Sequence, residues 1–550
     1  MINKNIKNLT KIFFRDYNEK IQIFNEKKKL NLKSKTVLFS IIFAVLLTYI
    51  SVILLFHFNE ANAGYLFLKI YIPLVLIFVL FQLITLICNL FYYSKDLEYI
   101  LPLPVKPIEI LIAKFNTVIL ITYLTECAFL AIPMFFYGIL VSGKVTYFLF
   151  GILSLLIMPI FYVSIIGSII LIMMKLFEKI KNKNIVQFLI IFILNIVLII
   201  GTFLLLKNNF VLDDSTQSID IVDEKWTYIN EKLIITNPVI ELLISNSWIK
   251  KIINIIKIFI LIFVTFSIFI LIGNKLYFNN LIYGHYTKGT NYNKNKIKYK
   301  KNKIGISYIK TENKKVMRNT TYVTQNLFGF INIMIIILII LNMFMPLFIQ
   351  YLQDTNYFEG VNIEQLKIDI FCTVIVIMQI MFTFNSISST AISREGKEAF
   401  FIKYIPVSLK KQLLIKLIPG ILLNIIPIIG VMYIFNKNLP TVEYYYYIIT
   451  FITTNLINIL FNEIMIVLDC KMPNLNWTNV ESVTKNNSKK LYQYIITLIT
   501  ILLIIYLSKI LTQISFFLFV IIFDLILLIG LIIFNIYINK NINKIFENIY

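Results

Sequence analysis

Long apolar runs, broken by short basic and polar clusters, set the rhythm of this chain. A membrane span takes about 20 mostly apolar residues. Twelve runs meet that length, near 36–57, 66–92, 108–140, 146–176, 185–206 and 252–273, then 326–350, 368–392, 417–435, 444–469, 491–507 and 515–538. The pattern predicts an all-α, polytopic membrane protein of about twelve transmembrane helices. About 35 polar and basic residues precede the first run, which argues against a cleaved leader. Residues 6–24 place Ile6, Leu9, Phe13, Ile21 and Phe24 apart from Lys7, Lys11, Arg15 and Lys20, the spacing of an amphipathic helix.

Composition agrees. Hydrophobic residues make up 58% of the 550 and charged residues only 15%, too few charges to coat a soluble globule of this size. The 52 Lys and Arg against 29 Asp and Glu gain meaning once the loops are sorted by side. With the N-terminus inside, 41 basic residues fall in cytoplasmic segments and 9 in the opposite loops. Basic residues in short loops mark the cytoplasm, so both termini are expected there, in a multi-pass protein of the cell membrane. The excess charge then faces anionic lipid headgroups, and no nucleic-acid partner is expected. Cys88, Cys127, Cys372 and Cys470 sit in or beside apolar runs without CxxC spacing and read as small core residues.

Two connections are long. Residues 207–251, expected outside, are acidic; residues 274–325, expected inside, hold twelve bases and one acid, Glu312. The second separates two groups of six spans. The organisation read from this is 1–273, a first six-span half with its N-terminal amphipathic segment; 274–325, a basic linker with a second interfacial helix; and 326–550, the second six-span half.

The loops after spans 2 and 8 repeat one another. YSKDLEYILPLPVKPIEILIAKF runs from Tyr93 to Phe115, and ISREGKEAFFIKYIPVSLKKQLLIKL from Ile392 to Leu417. Ser94, Lys95 and Asp96 match Ser393, Arg394 and Glu395; Pro104 and Val105 match Pro406 and Val407; Leu111 and Lys114 match Leu413 and Lys416. Like motifs after the second span of each half imply two parallel six-helix halves, an architecture of transporters. Prolines at 102, 104 and 107 fix a bend, and Ile108, Leu111, Ile112 and Phe115 beyond them follow helical spacing. Asp96, Glu98, Arg394 and Glu395 are expected to remain available to a soluble partner.

At these residues the chain resembles the permease subunits of bacterial ATP-binding-cassette transporters of the type-2 exporter class, in their duplicated twelve-span form. Besides the repeated loops, the likeness rests on IKTENKKVMRNTTYVTQNLF before span 7, with Glu312, Arg318, Asn319 and Tyr322. It rests also on LDCKMPNLNWTNVESVTKNN after span 10, with Asp469, Pro473, Leu475, Trp477 and Asn487. The resemblance implies that the loop between spans 2 and 3 of each half docks on a cytoplasmic ATP-binding subunit, itself a dimer. The docking residues would be Ser94, Lys95, Asp96, Glu98, Pro104 and Lys114, with Ser393, Arg394, Glu395, Pro406 and Lys416. A further permease subunit and the cargo stay open.

Catalytic chemistry is thin. His57 and His285 lie far apart, GILVSGKV lacks the Ser or Thr that would hold magnesium, and no cofactor or metal motif is present. The chain is expected to carry no active site of its own. Among acids inside spans, which default to function, Glu126 and Asp524 are deepest and mark a possible substrate pathway; Glu463 lies nearer the cytoplasm. The plainer expectation for Glu126 and Asp524 is an interhelical hydrogen bond. A proton-coupled secondary transporter with two six-span halves is the alternative to an ATP-driven exporter.

Overall fold

The computed structural model describes residues 2–22, 63–91, 105–177, 183–207, 218–285, 304–318, 363–438, 443–477, 489–510 and 515–546, with single positions between them. All regular elements among them are helical. Lipid offers a backbone no hydrogen-bond partner, so apolar runs of this length must satisfy their amides within the helix. Ten of the described helices are long and apolar enough to cross a membrane. They coincide with ten of the twelve runs predicted above. The other two, 36–57 and 326–350, lie mostly outside the described residues.

The chain divides into two compact units, separating between Tyr292 and Asn293. The first begins with α1 (Ile2–Gln22), whose Leu9 and Phe13 are buried as its amphipathic spacing requires. Its spans are α2 (Gly64–Phe91), α3 (Pro107–Glu126, continued by Cys127–Ala131, α4 Ile132–Tyr137 and Gly138–Ser142), α5 (Val145–Leu176), α6 (Lys183–Lys207) and α9 (Trp248–His285). Helices α5 and α9 approach closely at Gly167, where a methyl group would stand 2.8 Å from the Phe269 ring. Small residues at such crossings bring backbones together where lipid gives no hydrophobic drive. The acidic connection folds as α7 (Ser218–Lys232) and α8 (Thr236–Ile244). Asp223 of α7 pairs with Lys69, and Asn230 donates to the Lys69 carbonyl at 2.9 Å. Lys69, a base within a predicted span, therefore has its counter-ion on the acidic segment.

The second unit holds α10 (Ile304–Arg318), α11 (Ile363–Thr383), α12 (Leu409–Asn438), α13 (Tyr444–Lys471), α14 (Lys489–Ile510) and α15 (Phe516–Ile545). In its core Phe371 meets Phe516, Phe519 and Phe523 edge to face, with Phe382 and Phe461 in the same cluster. Between α11 and α12 the chain leaves the helix for tight turns, Ser388–Thr390 and Ser393–Tyr404, the second broken at Gly396. This is the second copy of the repeated loop.

Candidate functional site

Ser393 is the hub of that loop. Its hydroxyl donates to Asp469 Oδ1 at 2.5 Å and accepts from Lys489 Nζ at 2.6 Å and from the Asn474 amide at 2.9 Å. Its carbonyl accepts from Trp477 Nε1 at 2.8 Å. Asp469 also takes the amides of Ile392 (2.6 Å) and Ser393 (3.0 Å) and pairs with Lys489. Asp469, Lys489 and Ser393 are almost wholly buried. A buried carboxylate is tolerated only when paired and fully hydrogen-bonded, and Asp469 meets both conditions. Gly396 has φ 62° and ψ −140°, a region essentially reserved to glycine. The Trp477 ring lies 3.1 Å from where its side chain would begin.

The next two residues, Arg394 and Glu395, enter a second cluster. Lys416 Nζ lies 2.6 Å from Glu312 Oε1 and 2.6 Å from Glu395 Oε1. Arg394 reaches Glu312 at 3.3 Å, and Lys315 reaches Glu395 at 2.9 Å. Glu312 and Lys416 are each 1% exposed. Burial pushes the Glu395 carboxyl up, but the charges of Lys416 and then Lys315 outweigh it and hold the group down at about 2. Burial, then the charges of Glu312 and Glu395, push the Tyr308 phenol up; its hydroxyl donates to Gln412 at 3.2 Å. Arg394 and Glu395 are thus engaged within their own unit, where the sequence left them for a soluble partner. What faces outward is an aromatic group: Phe400 stacks on Phe401 at 4.2 Å and meets Tyr404 edge-on, all three exposed. Pro406 is exposed beside them.

In the first copy, Ser94, Lys95, Asp96, Glu98 and Pro104 lie outside the described residues. Lys114 is described and is 1% exposed. It donates to the Leu90 carbonyl at 2.7 Å, near the end of α2, and sits 5.3 Å from the Phe13 ring of α1. Lys416, in the matching slot, binds Glu312 of α10. In each unit this lysine joins its span to the helix that precedes the described spans, α1 in the first and α10 in the second. The helical spacing at 108–115 is not a separate element: α3 starts at Pro107 and runs on as the span, with Leu111 and Phe115 buried.

Acids inside the spans part ways. Glu463 accepts from Asn535 at 3.3 Å, an interhelical bond of the kind expected of Glu126 and Asp524. Asp524 is half-buried, and its Oδ1 has no hydrogen-bond partner among the described residues. Glu126 is 1% exposed, and neither of its oxygens has one. The sequence reading passed over a polar ladder in the second unit. Asn385 donates to Asn424 (2.7 Å), Asn424 to Asn458 (2.7 Å), Asn462 to Asn458 (2.8 Å), and Ser388 to Asn462 (2.5 Å). The i, i+4 spacing of Asn458 and Asn462 inside an apolar run was its visible signal. Compared with known protein families, curated proteins and solved structures, the chain matches none.

Proposed function

We propose that this chain is the membrane-spanning permease of an ATP-driven exporter, working with a separate cytoplasmic ATPase dimer that engages loops 93–115 and 393–416. One observation carries the reading. Three passages that suggested it, unremarkable alone, meet in contacts between residues 76 to 104 apart and converge on one loop: Glu312 from before span 7, Ser393 to Lys416 from the repeat, Asp469 and Trp477 from after span 10. A solvated elbow has no need of two buried ionic anchors. Rigid anchoring suits a lever, because force applied to a loose loop would be dissipated in it. The exposed Phe400, Phe401 and Tyr404 supply the aromatic surface that protein interfaces favour at their centres. Mechanism follows from differential binding: nucleotide must hold the ATPase in a state that favours one arrangement of the permease, since a ligand shifts an equilibrium only by its unequal affinity for the two states.

The test is purification in mild detergent and identification of co-purifying chains, with Phe400→Ser/Phe401→Ser beside the wild type. An ATP-binding polypeptide recovered with the wild type and lost from the variant supports the reading. Recovery of none, together with substrate movement that persists after ATP depletion and stops with proton uncouplers, would replace it with a proton-coupled carrier.

A further inference from the structure

The first unit contains a defect with a cause. Pro133 has no N–H to give the carbonyl four residues earlier, that of Phe129, and its ring crowds that carbonyl. The helix answers by widening into a π turn over Cys127–Ala131. Phe129 O is taken instead by the Tyr71 hydroxyl at 2.7 Å. Glu126 is the last α-helical residue before the widened turn. Tyr162 on α5 lies within electrostatic reach of Glu126, three residues past a second intrahelical proline, Pro159. Its hydroxyl is buried and, like both Glu126 oxygens, has no hydrogen-bond partner among the described residues. Tyr123, a second titratable neighbour, donates to the Leu156 carbonyl at 2.6 Å.

Three orphaned oxygens between a widened turn and a proline-bearing helix are costly in a bilayer unless something meets them. The acceptor chemistry asks for a positive charge. Lys114, the nearest base N-terminal on the same helix, stands about 18 Å away at 1.5 Å per residue. A divalent ion would need six or more oxygens, with carboxylates among them, and no group of three or more metal-binding side chains exists among the described residues. We propose that Glu126 and Tyr162, with the widened turn 127–131, form a site for one monovalent cation, either a hydron or an alkali ion. Irregular backbone where a helix breaks is the usual setting for such ions in membrane carriers. The site does not depend on whether an ATPase drives the chain.

The test uses the isolated full chain in lipid nanodiscs and dicyclohexylcarbodiimide, an apolar reagent for carboxyl groups within membranes. Peptide mass spectrometry reads the fraction of Glu126 modified, with Glu126→Gln as the assignment control. NaCl and KCl are titrated against N-methylglucamine chloride at fixed pH; pH is then varied in N-methylglucamine alone. Glu126 is expected to be labelled. An alkali-ion site gives labelling that falls about tenfold at a tenfold excess of salt over Kd; a hydron site gives labelling that responds to pH and not to salt. Tyr162→Phe, which keeps the fold's shape and the carboxyl, shifts the protecting salt or pH range. No labelling of Glu126 under any condition, labelling indifferent to both salt and pH, or an unshifted Tyr162→Phe would overturn the proposal. Because the readout is covalent labelling without ATPase, it fails or succeeds separately from the exporter reading.

Discussion

At the scale of single residues, the charges in the loop between α11 and α12 behave as a matched set, and removing one leaves its partner stranded. Lys489→Met leaves Asp469 buried beside Ser393 without its cation and is expected to destabilise the second unit by about 3–5 kcal/mol. Trp477→Phe removes one hydrogen bond to the Ser393 carbonyl and is expected to cost about 1 kcal/mol. Detergent-solubilised unfolding by intrinsic fluorescence, read on Tyr bands for the Trp variant, ranks the two; a larger loss for Trp477→Phe would deny Asp469 its role. Glu395 adds a pH window. Its carboxyl is held at about 2 against an ordinary value near 4.5, so the unfolded chain binds the proton more readily. The contribution, on the order of 3 kcal/mol, is fully present above about pH 4.5 and is lost as pH falls towards 2. Glu395→Gln should therefore melt below the wild type at pH 7, with the gap closing across that window. None of this was legible from residue type. Ser393, Glu395 and Asp469 look like ordinary polar residues until positions 76 and 80 apart in sequence meet in space.

Elements were read more easily, because a span is defined by length and apolarity, both of which are local. The ten described spans match their predicted runs within a few residues at most ends. Their irregularities were harder. Pro133 announces a break, but whether it kinks, ends or widens a helix depends on what receives the Phe129 carbonyl, here Tyr71 from another span. The Asn ladder likewise draws on α12, α13 and the turn after α11. Asn424→Leu keeps the size near and removes both links; it is expected to cost about 1–2 kcal/mol, checked by thermal unfolding in nanodiscs. Gly396→Ala meets both a forbidden backbone region and the Trp477 ring and is expected to cost about 1–3 kcal/mol. In that variant the exposed aromatic side chains should become more mobile, measurable by a fluorinated Phe401. A rigid loop despite the substitution would show that Gly396 is incidental.

For the whole molecule, the sequence's strongest statement was the 41-to-9 asymmetry of basic residues, which predicts a cytoplasmic setting for residues 93–115 and 393–416 alike. Cysteines placed at Lys397 and at Lys250 in a chain lacking its native four are expected to react with an impermeant maleimide from opposite sides of intact cells. Labelling of both from outside would reverse the topology. The exporter reading adds that the isolated chain hydrolyses no ATP and that turnover appears only with a second polypeptide. Charge reversal at Asp96 is the cleaner probe of docking: Glu395→Lys acts first on the internal pairs with Lys416 and Lys315. Loss of the ATPase from Asp96→Lys with insertion preserved is the expected result, read by co-purification at low and moderate salt.

The Ser393 hub also sets a timetable for biogenesis. Lys489, which completes it, is synthesised 96 residues after Ser393. At 5–20 residues per second the ribosome takes about 5–20 s to supply it. Throughout that interval Ser393 lacks Lys489, and once α13 has been made Asp469 stays without its cation until α14 follows. A quality-control protease that recognises unpaired charge at the membrane surface therefore has a fixed period in which to act, and the arrival of α14 closes it.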